Sequence, residues 1–199
     1  MKECYLTRDF RKTAAQRFPA QAVQLNAAFD ACLRSLWVEN AGASKEKKQH
    51  LAHQILPGIA AYEVLQTVMP KGEALQTIHG YVEQLARTTH KYLAAMLRFP
   101  GLYRVVPGLF VKSTRTNFGP AAGFALTEWR TDRNTWCVDM TKCPYHDTCV
   151  QYGCPELCRC FCDSDDITYA GLHPKLLWHR TKTLGRGNDC CDFCMKIAE

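Results

Sequence analysis

Between Pro19 and Asn40 the apolar residues Ala22, Leu25, Phe29, Leu33 and Leu36 return every three or four positions. That is the repeat of a helix with one buried stripe. Pro19 suits the first turn and Gly42 a stop. A second helix is predicted from Ser44, a suitable N-cap, through Leu51, Ile55, Ile59, Tyr62 and Leu65. Pro57 is expected to kink or split it, because proline removes a backbone donor and clashes with the preceding turn. Pro70 and Gly72 are read as its end. A third helix carries Leu75, Ile78, Val82, Leu85, Tyr92 and Met96 on one face and stops before Pro100-Gly101. The proline- and glycine-rich stretch 100–120 reads as a connection with one short helix.

The period then changes from 3.6 to 2. Phe124, Leu126 and Glu128 alternate with Ala125, Thr127 and Trp129, and after Thr131-Asp132-Arg133-Asn134 the residues Trp136, Val138 and Met140 do the same. This pattern predicts a β-hairpin. Pro144 and Pro155 are placed to begin short helices, and Gly153 to end the first. A second hairpin is predicted from Leu176–Leu184, the turn Gly185-Arg186-Gly187-Asn188 and the return Cys190–Ile197. The expected fold is α+β: long amphipathic helices packed on an antiparallel sheet of about four strands with short inserted helices. The length suits a single domain, 1–199, with a helical part (1–100) and a cysteine-rich part (120–199).

Charge changes this picture little. The net charge is +6 over 199 residues, and the basic cluster Lys45, Lys47 and Lys48 includes Glu46. No basic stripe is interleaved with aromatics, so no nucleic-acid partner is expected. The N-terminal MKECYLTRDFRKTAAQRF lacks the apolar core, about 7–15 residues, of a secretory signal. No run approaches the ~18 apolar residues of a membrane span. A cytoplasmic protein with no membrane partner is therefore expected, acting on a small molecule, with a homo-oligomer left open.

Cysteine changes it more. Ten of the twelve cysteines fall between Cys137 and Cys194. In a reducing compartment such a set points to metal ligation or thiol chemistry before disulfides. Cys143 sits where a strand gives way to a helix, where partial positive charge favours a thiolate, as nucleophile, metal ligand or plain buried cysteine. His146, three residues on, is a candidate base or second ligand. On a helix Cys154, Cys158 and Cys162 share a face and with Cys194 make a tentative metal set for zinc, manganese or an iron–sulfur cluster. The spacing matches neither a zinc finger nor a ferredoxin. On a regular strand Cys191 and Cys194 point to opposite faces, so Cys191 is expected inside with Phe193 and Met195. Asp165 is a candidate to hold a metal or a water for attack on an amidine carbon. Arg180, with Trp178 on the same inward face, would bind a substrate carboxylate or an internal aspartate.

Two stretches carry a family resemblance: ILPGIAAYEVLQTVMPKGEAL, and KCPYHDTCVQYGCPELCRCFCDSDD followed by RTKTLGRGNDCCDF. From about residue 50 onward the chain resembles the L-2-amino-thiazoline-4-carboxylic acid hydrolase family, which opens a cyclic thiazoline amino acid to N-carbamoyl-cysteine. The cysteine-rich half is distantly similar to the 4-vinyl reductase ligand-sensing domain. The matching positions are Cys143-Pro144-Tyr145, Gly153, Pro155-Glu156-Leu157, Cys162, Asp165, Arg180-Thr181, Gly187 and Cys191-Asp192-Phe193. The resemblance implies a hydrolase of C–N bonds in a small cyclic amidine or sulfur-containing amino acid. Cys137, Cys149, Cys154, Cys158, Cys160, Cys190 and Cys194 exceed the family pattern. They keep open a metal- or iron–sulfur-binding redox or sensor protein on the same scaffold.

Overall fold

The architecture comes from a computed structural model, in which residues 4–198 are described. Helix α1 (Tyr5–Arg17) was not expected, although Leu6, Phe10 and Ala14 lie at helical spacing and are fully buried. It packs on α2 (Ala22–Glu39), where Phe10 stacks on Phe29 with ring centroids 4.6 Å apart. All four large stripe residues of α2, Leu25, Phe29, Leu33 and Leu36, are buried as their spacing predicts.

The next helix runs as α3 (Lys45–His50) and α4 (Leu56–Leu65), joined by one π-helical turn at Leu51–Ile55. Ser44 caps α3, its Oγ accepting from the Lys47 N–H at 3.0 Å. Pro57 does not end the helical run, which passes from α3 through the π turn into α4. The wider turn, in which the Leu56 N–H donates to the Leu51 carbonyl, shifts the register so that Pro57 falls in the first turn of α4, where no N–H is needed. Pro70 and Gly72 do not close this helix. Pro70 is the N-cap of α5 (Lys71–Met96), and Gly72 lies in its first turn.

Along α5 the buried line is Ile78, Val82 and Ala86, continued by Leu93 and by Leu97 just past its end. Tyr92 and Met96, expected on that line, are 71% and 56% exposed. Small Ala86 carries the stripe one step round the helix, and the larger residues fall outside it. The connection after α5 holds a fuller helix than expected, α6 (Val106–Asn117).

Strands β1 (Ala125–Thr131), β2 (Thr135–Lys142), β3 (Leu176–His179) and β4 (Cys191–Ile197) form one antiparallel sheet in the order β1-β2-β4-β3. The fold is α+β. Helices α7 (Pro144–Gln151) and α8 (Cys158–Tyr169), the latter preceded by a turn at Pro155–Leu157, are inserted between β2 and β3. One sheet face carries Trp136, Val138, Met140, Cys191, Phe193 and Met195 in facing pairs. Helix α6 covers part of it, Phe110 lying 4.8 Å from Trp136 between ring centroids. Among the described residues, no helix is long and apolar enough to cross a membrane.

Candidate active site

Helix α8, helix α5 and the inner sheet face enclose a cavity of about 300 Å³. Cys162 and Asp165 stand three residues apart on α8 and therefore share a face. Cys191 comes from β4, Cys143 from the N-cap of α7, and Arg180 from the segment after β3. All five line this one space. All five are among the positions that carry the family resemblance.

The thiols differ in their protons. Cys158, one turn before Cys162, meets it sulfur to sulfur at 3.8 Å. The thiol hydrogen of Cys158 holds Cys162 below an ordinary thiol, against the opposing effect of burial, and Arg180 and the Gly185 N–H act in the same direction. Cys158 is correspondingly pushed up. Gly185 lies so close that a Cβ there would stand 2.9 Å from the Cys162 sulfur and 3.3 Å from that of Cys158. Cys143 behaves contrary to the helix-terminus expectation. Burial pushes its thiol well up, outweighing the N–H groups of His146 and Tyr145 that favour the thiolate. Cys191 is likewise pushed up to about 12 by burial, although the Leu184 N–H donates to its sulfur at 3.2 Å.

Arg180 is the polar hub. Its side chain is 1% exposed. Nη1 donates to Asp165 Oδ2 at 3.3 Å, and Nη2 donates to the Cys162 carbonyl at 2.8 Å and to Asp166. The guanidinium also lies over the Phe193 ring, 5.3 Å from its centroid. Its internal aspartate partners are therefore real, yet Nε is buried with no partner. Trp178 steadies this arrangement from behind, Nε1 donating to Asp166 Oδ1 at 2.8 Å. Trp178 itself faces an adjoining aromatic chamber of about 120 Å³ rather than the main cavity. Asp165 lines both spaces. Its carboxyl is raised to about 7 by burial, with Arg180 pulling down and Asp166 pushing up. Its side chain is 38% accessible and borders both chambers.

His146 does not join this group. It stands outside the cavity lining, its Nδ1 3.5 Å from Asp147 Oδ1. The tentative metal set does not converge either. Cys154 is tied to buried Cys149, its backbone N–H donating to the Cys149 carbonyl at 2.9 Å, Cys158 faces Cys162, and Cys194 lies on the outer sheet face. There Cys194 is register partner to Cys137 and joined to it in a disulfide with Cα atoms 4.0 Å apart. No three His, Cys, Asp or Glu among the described residues are grouped to hold an ion. Cys160, on the far side of α8, packs against α5 with its sulfur 3.9 Å from the Leu75 carbonyl.

Two tyrosines complete the polar lining. Tyr145 donates to His50 Nδ1 at 3.3 Å, and His50 Nε2 donates to the Asn117 carbonyl at 2.9 Å. Tyr5, on the unexpected α1, lines the cavity with a buried hydroxyl that has no partner. The signal for it was the Leu6-Phe10-Ala14 spacing.

No curated protein matches the sequence. Among solved structures, the chain is similar to a trafficking protein particle complex subunit 3 from Naegleria fowleri covalently bound to palmitic acid. The identity is 14% and the TM-score 0.34, over 71% of this chain and 93% of that one. The family model for L-2-amino-thiazoline-4-carboxylic acid hydrolase matches residues 48–195, a span that includes Cys143, Cys162, Asp165, Arg180 and Cys191. The chain belongs to the L-2-amino-thiazoline-4-carboxylic acid hydrolase family.

Proposed function

We propose that this chain hydrolyses a small cyclic amidine bearing a carboxylate, of the aminothiazoline carboxylate type, through a covalent bond to Cys162. The observation that carries the reading is the convergence of Cys162, Asp165 and Arg180 on one cavity. A thiolate there is the one strong nucleophile in the lining, since burial keeps Cys143 and Cys191 protonated. The Arg180 Nε–H and the Tyr5 hydroxyl, both buried and unpartnered, are the donors for a substrate carboxylate. A carboxylate would satisfy two groups that otherwise carry an uncompensated desolvation cost.

Cys162 sulfur adds to the amidine carbon. The bond from that carbon to the ring sulfur breaks, and neutral Asp165 protonates the departing sulfur. Asp165, now a carboxylate, takes a proton from water as its oxygen adds to the same carbon. Collapse breaks the bond to Cys162, leaving a carbamoyl group on the substrate nitrogen and Cys162 as thiolate again. The sum is ring plus water giving a carbamoyl thiol. A carboxyl near 7 suits both turns of this exchange at neutral pH.

Purified protein incubated with aminothiazoline carboxylates should release one free thiol and one carbamoyl group per ring opened. Absence of ring opening across thiazoline carboxylates and related cyclic amidines, or undiminished turnover in Cys162→Ser, overturns the reading.

A further inference from the structure

We infer that Cys158 and Cys162 form a peroxide-responsive dithiol, so that oxidation closes a disulfide across the first turn of α8 and shuts the site. The two sulfurs are 3.8 Å apart. Cys162 lines the cavity and can be reached by a small oxidant. Cys158 is fully buried beneath it. Gly185 seals both sulfurs on the loop side, so an oxidised Cys162 finds Cys158 as its immediate partner. Cys143 and Cys191 stand on other walls of the cavity.

The chemistry balances with hydrogen peroxide as oxidant. The Cys162 thiolate attacks one peroxide oxygen and the O–O bond breaks. Sulfenic acid forms on Cys162, and hydroxide leaves and takes a proton as water. The Cys158 sulfur then attacks the sulfenic sulfur, losing its proton as the S–O bond breaks and a second water departs. Two thiols and one peroxide give one disulfide and two waters. A dithiol reductant reverses the result by exchange.

Closing the bond costs the helix something. Residues four apart on a helix have Cβ atoms about 5–6 Å apart, whereas a disulfide prefers about 3.8 Å. Cys158 is the first residue of α8, directly after the turn at Pro155–Leu157, so the adjustment falls where the helix has one free end. A bond held under such tension is readily reduced, which makes the closure reversible.

The loss of turnover rests on Cys162 as nucleophile, but the bond itself does not, and the test reads them separately. Full-length protein is titrated with hydrogen peroxide and followed by intact mass and ring-opening activity. Arg159 lies between the two thiols, so trypsin separates them and the disulfide appears as a cross-link of two peptides. The expected result is loss of two hydrogens relative to untreated protein, in which Cys137 and Cys194 are already joined. The link should map to Cys158–Cys162, persist in Cys160→Ser, and reverse with dithiothreitol. Activity should fall in proportion to the oxidised fraction. In Cys158→Ala, where Cys162 loses its neighbour's proton and oxidises more slowly, the sulfenic acid that forms should persist and be trapped by a 1,3-dicarbonyl reagent. The proposal is overturned if peroxide inactivates without this link, or if the link maps to another pair. Formation of the link with turnover intact would leave the dithiol standing and remove Cys162 from the mechanism.

Discussion

Cys143 and Cys162 face one cavity from two regions, and the proposed reaction rests on their contrast. Cys143 stands at the N-terminus of α7, the setting expected to stabilise a thiolate. Cys162 sits within α8, with no such advantage. Yet burial pushes Cys143 up, while Cys162 is held down by the Cys158 thiol, with help from Arg180 and the Gly185 N–H. At Cys143 the N–H groups of the helix terminus do not offset desolvation; at Cys162 a neighbouring thiol, a guanidinium and a backbone donor together do. Cys162 has that company because α8 and the segment 180–186 fold against each other. Cys143 has its own helix alone.

The largest test replaces each thiol in turn. Cys162→Ser should lower kcat by about 10³-fold or more, because a hydroxyl at neutral pH is a far weaker nucleophile. Cys143→Ser, keeping its place in the wall, should lower it only a few-fold. Equal losses in both would erase the contrast. Steady-state kinetics on a thiazoline carboxylate decides it, with alkylation at neutral pH as an independent check. Iodoacetamide should reach Cys162 well before Cys143.

Much of this layout was legible in the chain. Alternation placed Cys191 beside Phe193 and Met195 and turned Cys194 outward, and the register Met140–Cys191 and Cys137–Cys194 follows that rule. Cys143, Cys162 and Cys191, all among the positions that match the family, meet at one cavity. What stayed hidden depends on contacts distant in sequence. Cys158 and Cys162 were legible as neighbours on a helix face, but not that Gly185 would close over both. The helix period placed Cys154 on that face too, whereas the chain turns at Pro155 and hands it to Cys149. Tyr5 was overlooked because a polar, basic segment masked three well-spaced core residues.

Asp165 gives the next largest effect. Its carboxyl is raised to about 7 by burial, so about half of it carries the proton that the proposed first step needs at pH 7. The pH profile of kcat should fall above pH 7, and Asp165→Asn should lower kcat about 10²-fold and lose that limb. The sign for stability follows from the same proton. Between the ordinary carboxylate value, about 4, and about 7 the folded state binds more protons than the unfolded chain, so stability falls as pH rises through this window. Thermal melts from pH 4 to pH 8 should show a decline that Asp165→Asn flattens. An unchanged slope in the variant would mean that the carboxyl is solvated after all.

If Arg180 holds the substrate as proposed, Arg180→Lys should act on binding rather than on chemistry. A lysine keeps positive charge near Asp165 and Asp166 but places no donor where Nε points. KM should rise about tenfold with kcat altered less. A fall in kcat with KM unchanged would instead assign Arg180 to holding the Cys162 thiolate, which would strengthen its contrast with Cys143 by another route.

The smallest effect probes the contrast most directly. Gly185 approaches Cys162 so closely that a methyl group there must displace either the sulfur or the loop. The sulfurs are anchored by α8, packed against α5 and α4; on that packed side a Cβ at Gly58 would meet Phe161 at 2.7 Å. The segment around Gly185 is a short surface turn, Leu184–Arg186, so it is the part that yields. Gly185→Ala should therefore lift its own N–H away from Cys162 while leaving the Cys158 contact in place. One of the three influences that lower the Cys162 thiol would be withdrawn. The alkylation rate of Cys162 at neutral pH should then drop roughly threefold to tenfold, with Cys143 unaffected and the thermal midpoint nearly unchanged. A larger drop would make the backbone donor, rather than the Cys158 thiol, the main support of the thiolate. No drop at all would leave the difference between the two cysteines resting on the Cys158 thiol and Arg180.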